Sequence, residues 1–566
     1  MILSDYVHER LHAAGVTHAF GVPGYFVMPV WQTFTKEPGI ILARHESGAV
    51  FMADGFSRLT GHLGVVLATI GPGMTNCVTG VACAYRDSIP LLVITGQAPT
   101  ATFGRGAFLE SYILDRAVHP AGLFSAITKK SIEIVDSANA AFLVDAAIRL
   151  AQSGRPGPVH LSIPIDLQKS EIRPPSSVAS RLVDGKLVDR HSIDAEVIRQ
   201  AGQLLTRARR PLLLVGWGAM LAGAMTEIAR LADELGAGVI CSAKAVSCLS
   251  RSHSLRLGHL GPGQRPDMIP AVRAYNPDVV LVLGASLSSF YAEPLADLLE
   301  RAAVIRVDID ADQLHLRGRT DLALHGDVGS VVSALRNVLS EHVGASLDRS
   351  EILNMVTKFQ ARGRRARSAQ PSEFEDEVSM SGTIVQLSEM LPDDAVVIPD
   401  TGNHWLDTLA LHEAPQAGGL QLNCGMGAMG WAIGAAVGMA FARPERRTVC
   451  VTGDGSMLMH GSELSVAAEH GLNLLALVFN NRAHGRVRLG QKRDFDGDPL
   501  ATDIPEIDFA KWMEAMRVPS RKIDRADQVR PVLRSALDTP GTVGVEVRCH
   551  PDEIPASLRN WTGDVP

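Results

Sequence analysis

Residues 448–485, which run T-V-C-V-T-G-D-G-S-M at one end and L-V-F-N-N-R-A-H-G at the other, constrain the fold of this chain more than any other stretch. An apolar strand over 449–451 breaks at Gly453-Asp454-Gly455, where glycines permit a tight turn and leave a carboxylate at the strand end. A helical run follows, and a second apolar strand over 474–479 delivers Asn480 and Asn481 to the same end of a parallel sheet. Asp454 and Asn481, 27 positions apart, can therefore meet. Two hard oxygen ligands plus a carbonyl from the turn after Asn481 form a partial shell for Mg²⁺, with positions left for phosphate oxygens and water. On Gly-Asp-Gly alone, an ordinary βαβ unit whose Asp and Asn only cap turns fits equally well, so the rest of the chain decides.

At 566 residues the chain is too long for a single core, and three to four domains are expected. Residues 1–172 alternate apolar strands (18–21, 40–43, 64–69, 91–95, 159–163) with helical stretches, and Gly-rich turns follow several strands. That is the rhythm of a doubly wound α/β domain. A Pro/Ser-rich linker over 173–190 ends it. A second α/β block at 191–345 has strands at 212–215, 238–241, 279–283 and 304–308, and two of them lead into Gly216-Trp217-Gly218 and Gly284-Ala285. Isolated glycine pairs are compatible with nucleotide binding but do not establish it. A polar, charged, helical linker over 349–371 precedes the third block, 380–550, which starts from a strand at 395–398 and the turn Asp400-Thr401-Gly402-Asn403-His404. Gly425-Met426-Gly427-Ala428-Met429-Gly430 then opens an Ala/Gly-rich helix, and a tail rich in turn formers occupies 551–566. The expected fold class is α/β with three doubly wound parallel-sheet domains.

A net charge of −7 gives no reason to expect a nucleic-acid partner. The apolar runs are strand-length, short of the roughly 18 to 20 residues of a membrane span, so no membrane partner is expected. The start Met1-Ile2-Leu3-Ser4-Asp5 lacks the basic region and apolar core of a signal peptide, which makes the cytoplasm the expected compartment. The seven cysteines are scattered, without metal-finger spacing, and read as buried thiols in a reducing compartment.

Arg44-His45-Glu46 closes an apolar strand and opens a helical run over 47–59. A carboxylate at that junction is by itself also an ordinary helix-start residue favoured by the dipole. Together with Phe20-Gly21-Val22-Pro23-Gly24, Gly71-Pro72-Gly73-Met74-Thr75-Asn76, Gly157-Pro158-Val159, Ile163-Pro164-Ile165-Asp166 and the Gly-Asp-Gly to Asn-Asn span, it resembles the thiamine-diphosphate-dependent enzymes of the acetolactate synthase and pyruvate decarboxylase type. The resemblance runs over nearly the whole chain, with the motifs in order.

The resemblance implies roles residue by residue. Glu46 is the catalytic glutamate, hydrogen-bonded to a ring nitrogen of the cofactor's aminopyrimidine and favouring the tautomer that deprotonates the thiazolium. Pro23 and Gly24, in the opening turn, and Pro72 and Asn76, in the cofactor-facing loop, lie against the cofactor. The Gly427 carbonyl accepts from the pyrimidine amino group, and Met429 supports the bent cofactor. Asp454, Asn481 and the Ala483 carbonyl hold Mg²⁺ against the diphosphate, which Gly402, Asn403, His404, Gly455, Ser456 and Gly485 surround. In this family the glutamate and the metal site come from different subunits, so a homodimer is the minimum active unit and a homotetramer is expected.

Val22-Pro23-Gly24, Asp400-Thr401-Gly402-Asn403-His404 and Gly427-Ala428-Met429-Gly430 resemble the acetolactate synthase branch. The substrate side departs from it. The family's Phe-Gln-Glu appears as Phe108-Leu109-Glu110, with Arg116 the candidate replacement for the lost glutamine. The branch's Arg-Gln-Trp-Gln reads Arg488-Leu489-Gly490-Gln491, so a pocket-shaping tryptophan is a glycine, and Arg488, Lys492 or Arg493 could read an acidic substrate. Gly284-Ala285-Ser286-Leu287-Ser288-Ser289-Phe290 lacks the arginine and aspartates of FAD-binding synthases, which counts against FAD, while Asp308 and Asp310 leave an adenine nucleotide open. The expected function is carboligation: decarboxylation of a 2-keto acid and transfer of the acyl carbanion to a second carbonyl. A simple decarboxylase or acyloin lyase on a bulkier substrate, and a non-catalytic nucleotide-binding paralogue, are the alternatives.

Overall fold

Unbroken apolar runs fold as strands buried on both faces, which is how parallel sheets flanked by helices read in sequence. The computed structural model describes residues 1–111, 118–174, 182–183, 186–187, 194–342, 350–368, 377–495 and 498–559. The first sheet contains β1 (His18–Gly21), β2 (Gly39–Leu42), β3 (Gly64–Ala68), β4 (Leu91–Gln97), β5 (Lys130–Glu133) and β6 (Val159–Pro164) in the order β2-β1-β3-β4-β6-β5. A two-residue antiparallel ribbon pairs β7 (Leu182–Val183) with β8 (Lys186–Leu187) in the first linker. The second sheet contains β9 (Pro211–Val215), β10 (Gly238–Ser242), β11 (Arg256–Leu260), β12 (Val279–Leu283), β13 (Ala303–Asp308) and β14 (Leu322–His325), ordered β11-β10-β9-β12-β13-β14. The third contains β15 (Val396–Pro399), β16 (Thr448–Gly453), β17 (Leu474–Asn480), β18 (Ser520–Ile523) and β19 (Val543–Arg548), ordered β15-β16-β17-β19-β18. Pairing is parallel throughout these three sheets.

The second linker is helical over Ser350–Ser368. Part of the tail packs inward: Glu553 is buried and accepts from the Met380 backbone N–H at 2.9 Å, and Asp407 accepts from Ala556 at 2.7 Å. Among the described residues no helix is long and apolar enough to cross a membrane.

Two helices join the outer domains. Helix Glu46–Thr60 lies against Trp431–Ala442, whose residues from Trp431 to Ala440 are all buried. Small residues allow the approach, because a Cβ on Gly55 would run into the Ala435 carbonyl and one on Gly438 into the Met52 carbonyl. Below this contact Arg58 ties all three domains together. Its guanidinium, fully buried, pairs with Asp54, reaches Asp87 at 2.7 Å and donates to the Leu422 carbonyl at 2.8 Å, between the rings of Trp217 and Trp431. Lys244 completes the charge count at 2.6 Å from Asp87. Burial pushes the Asp87 carboxyl up, but the two cations outweigh it and hold it below the usual carboxylate range.

Candidate active site

The carboxyl ends of β16 and β17 bring the Gly-Asp-Gly and Asn-Asn motifs together, where open α/β sheets place their ligands. Asp454 begins helix Asp454–His460 and is buried, accepting from the Gly455 N–H at 2.7 Å and the Ala483 N–H at 3.3 Å. Burial pushes its pKa up to about 6 against the pull of those donors. Asn480 is turned to the protein, donating to Glu546 at 2.6 Å, whereas Asn481 faces Gly485. A Cβ on Gly485 would lie 2.6 Å from Asn481 Nδ2 and 3.0 Å from Asn403 Nδ2, so only glycine leaves this space open. Arg482 has φ +55°, a left-handed conformation for a non-glycine residue that re-aims the chain between Asn481 and Ala483.

Asn403 fits a polar ligand. It is buried, yet among the described residues neither Nδ2 nor Oδ1 has a hydrogen-bond partner. A buried polar atom without a partner costs of order 1–3 kcal/mol; a diphosphate oxygen would accept from Nδ2, while Oδ1 would take a donor or face a cation. Next to it, His404 is stacked on Phe479 with ring centroids 6.3 Å apart, and burial pushes its pKa down to about 4. It is therefore neutral at pH 7 and offers an N–H or a lone pair, not charge. Ser456 lies buried in the same helix turn as Asp454.

Asp400 anchors the Gly427 turn, accepting from the Gly430 N–H at 2.7 Å and from Thr452 Oγ1 at 3.2 Å. Gly427 and Gly430 have φ +67° and +82°, which a side chain resists. Met429, between them, reaches over Gly455, whose Cβ would come 2.9 Å from Met429 Cε. These groups suit a diphosphate held by amides and glycine backbone, with a divalent cation on Asp454, Asn481 and the Ala483 carbonyl.

On the first sheet, Glu46 is the first residue of its helix and accepts a 2.9 Å hydrogen bond from Asn76 Nδ2. Asn76 ends helix Pro72–Asn76, and Pro72 occupies the helix start, where a missing N–H costs nothing. A Cβ on Gly73 would sit 2.8 Å from Thr69 and 3.6 Å from Glu46 Oε1, and Gly24, following Pro23, also faces Thr69. Thr69 thus links the opening turn to the cofactor-facing loop.

Several residues here are invisible to motif reading. Glu463 accepts from the backbone N–H groups of Arg44 at 3.0 Å and His45 at 2.9 Å, just before Glu46, and a Cβ on Gly48 would collide with it. Its only sequence signal is a carboxylate in the apolar helical run after Asp454. Thr69 gave no signal beyond its glycine-rich neighbours, and Asp400 was visible only as the first residue of its turn.

The substrate candidates fare differently. Phe108 is 80% exposed, and Leu109, at φ +57°, lies over Gly71. Arg116 lies outside the described residues. Arg488 is held by Asp552 at 2.7 Å and Asp503 at 2.6 Å, Lys492 by Asp552 at 2.8 Å, and Arg493 by Asp494 at 2.6 Å. Gln491 exchanges two hydrogen bonds with the Leu500 backbone. In the central domain a cavity of about 760 Å³ opens where Gly216 and Gly284 end adjacent strands, with Arg58, Lys244 and Asp308 on its walls, while Asp310 is paired with Arg155 at 3.2 Å.

Known proteins match the chain domain by domain. The N-terminal TPP binding domain, the central domain and the C-terminal TPP binding domain of thiamine pyrophosphate enzymes match residues 1–116, 198–335 and 400–547. The chain belongs to the thiamine pyrophosphate enzyme family, in its acetolactate synthase branch. It is 33% identical to the acetolactate synthase of Arthrospira platensis over 562 residues, which covers 96% of this chain and 93% of that one. It is 31% identical to the acetolactate synthase isozyme 2 large subunit of Escherichia coli (strain K12), with 95% and 94% covered, and 30% identical to isozyme 3 of the same strain, with 94% and 92% covered.

Proposed function

We propose that this chain is a thiamine-diphosphate- and Mg²⁺-dependent carboligase that decarboxylates a 2-keto acid and transfers the acyl unit to a second carbonyl. The observation that carries the reading is the bare, buried Asn403 amide beside Gly485, Asn481 and Asp454, a ready cradle for a metal-bound diphosphate. Likeness to acetolactate synthases over nearly the whole chain favours carboligation over simple decarboxylation.

Bound thiamine diphosphate supplies an acidic carbon and an electron sink for decarboxylation. Asp454, Asn481 and the Ala483 carbonyl hold the cation, a set of hard oxygens suited to Mg²⁺. Asn403 and Ser456 would donate to diphosphate oxygens, and Met429 would support the bent cofactor. Glu46 would hold the proton-relay position at the pyrimidine nitrogen; Asn76 occupies its Oε2, so Oε1 would be the oxygen left for it. Glu46 of one chain serves the metal site of a second, so the active unit is a homodimer, assembled further into a homotetramer.

The test is direct. The protein is titrated calorimetrically with thiamine diphosphate and Mg²⁺, then supplied with pyruvate alone. Cofactor binding with acetolactate as product supports the reading. Acetaldehyde as sole product points to simple decarboxylation, and absence of cofactor binding overturns the proposal.

A further inference from the structure

Helix Gly485–Asp494 carries four cations, Arg486, Arg488, Lys492 and Arg493. Three are neutralised by Asp503, Asp552 and Asp494. Arg486 is the exception: it is partly buried, and among the described residues none accepts a hydrogen bond from it or pairs with it. The charges facing it are Arg493 and Asp494, and burial together with Arg493 holds its pKa below the usual guanidinium range. A half-buried cation whose facing carboxylate, Asp494, is already engaged by Arg493 gains from a further anion.

Its placement indicates which anion. Arg486 directly follows Gly485, whose backbone lies against Asn481 and Asn403 in the diphosphate cradle. Residues 486 and 490 share one face of the helix, whereas 488, two positions on, points to the other side, where Asp503 and Asp552 bind it. A Cβ on Gly490 would meet nothing within 4 Å, so open space lies beside Arg486 on its own face. A 2-keto acid donor loses its carboxylate as CO₂, and a tight ion pair to that group would stabilise the ground state and oppose the step. The anion of the acceptor, by contrast, survives into the product.

We propose that Arg486 is a specificity-determining residue that pairs with the oxyanion, carboxylate or phosphate, of the second carbonyl substrate seated over Gly490. The proposal rests on the carboligase reading and names its acceptor class.

The holoenzyme is assayed by competition between acceptors: a short 2-keto acid against its methyl ester, and a short phosphorylated aldehyde against the unphosphorylated aldehyde. The wild type is expected to prefer one anionic acceptor over its neutral counterpart by about 10- to 100-fold in kcat/KM, the size of a charge-assisted hydrogen bond. The pair that shows the preference tells carboxylate from phosphate. Arg486→Met is expected to erase the preference and Arg486→Lys to keep part of it. Equal use of anionic and neutral acceptors by the wild type overturns the assignment without any variant. So does a preference unmoved in Arg486→Met. If the wild type ligates no acceptor and only releases aldehyde, the carboligase reading itself fails and Arg486 loses its role with it.

Discussion

Asn76 Nδ2 donates a 2.9 Å hydrogen bond to Glu46 Oε2, fastening the end of one short helix to the first residue of another. A hydrogen bond to a carboxylate is worth roughly 1.5–3 kcal/mol, and here it fixes which oxygen remains for the cofactor. Asn76→Ala is therefore expected to lower kcat about tenfold or more and to slow thiazolium deuterium exchange in proportion. Asn76→Asp is expected to be worse, because it sets a second carboxylate beside Glu46. Steady-state kinetics with exchange followed by NMR checks both, and exchange at the wild-type rate in Asn76→Ala would sink the positioning role.

The parallel sheets were legible because most of their inner strands are apolar on both faces, as β3 and β9 are throughout and β17 is up to Asn480. Two edge strands were not: β5 reads K-S-I-E and β18 reads S-R-K-I, half-exposed at sheet margins and without an apolar run, whereas the apolar edge strands β2 and β15 were. Within the site, the meeting of Asp454 and Asn481 follows from the strand–turn–helix spacing, whereas their roles and that of Glu46 are read from the family resemblance. Arg488 illustrates the limit. Its partners Asp503 and Asp552 lie 15 and 64 positions downstream, and no local pattern reveals that they engage it while Arg486 pairs with none of the described residues.

Glu463 gives the chain a pH dependence that can be worked out in sign. Burial pushes its pKa up to about 7 from an ordinary 4.5, more than the Arg44 and His45 N–H groups pull it down. Between these values the folded state holds a proton that the unfolded state has released, so this group's contribution to stability falls as pH rises through that window. Glu463→Gln cannot titrate. Its melting temperature is expected to start lower, since an amide cannot accept from both backbone donors, and to decline less than the wild type's between pH 5 and pH 8. Calorimetric scans across that range check this, and parallel declines would reject it.

Asp454 supplies the one charged ligand of the proposed cation site, and its loss removes the reason for a divalent ion to stay. With Asp454→Ala, the apparent affinity for thiamine diphosphate in the presence of Mg²⁺ is expected to fall at least 100-fold. A ligand that binds only the folded state raises stability with its concentration, so the cofactor-induced rise in melting temperature should vanish. Removing Mg²⁺ from the wild type with a chelator should reproduce the same loss. Retention of the thermal shift in the variant would place the cation elsewhere.

The contact between helix Glu46–Thr60 and helix Trp431–Ala442 yields a prediction about precision rather than chemistry. A Cβ on Gly438 would run into the Met52 carbonyl, a backbone atom that cannot swing aside, whereas one on Gly39 would meet nothing within 4 Å. Gly438→Ala must therefore separate the helices, an overpacking that costs typically about 1–3 kcal/mol. Glu46 begins one of these helices, and the turn bearing Gly427 and Met429 leads into the other, so the separation also displaces, relative to each other, the two elements that the chain would contribute to the paired sites of the proposed dimer. We expect Gly438→Ala to lose more than tenfold in kcat together with its stability, and Gly39→Ala to stay within about 0.5 kcal/mol of the wild type with full turnover. Melting curves and kcat measured on the two variants in parallel decide it: equal behaviour would mean that the helix contact does not set the geometry of the site.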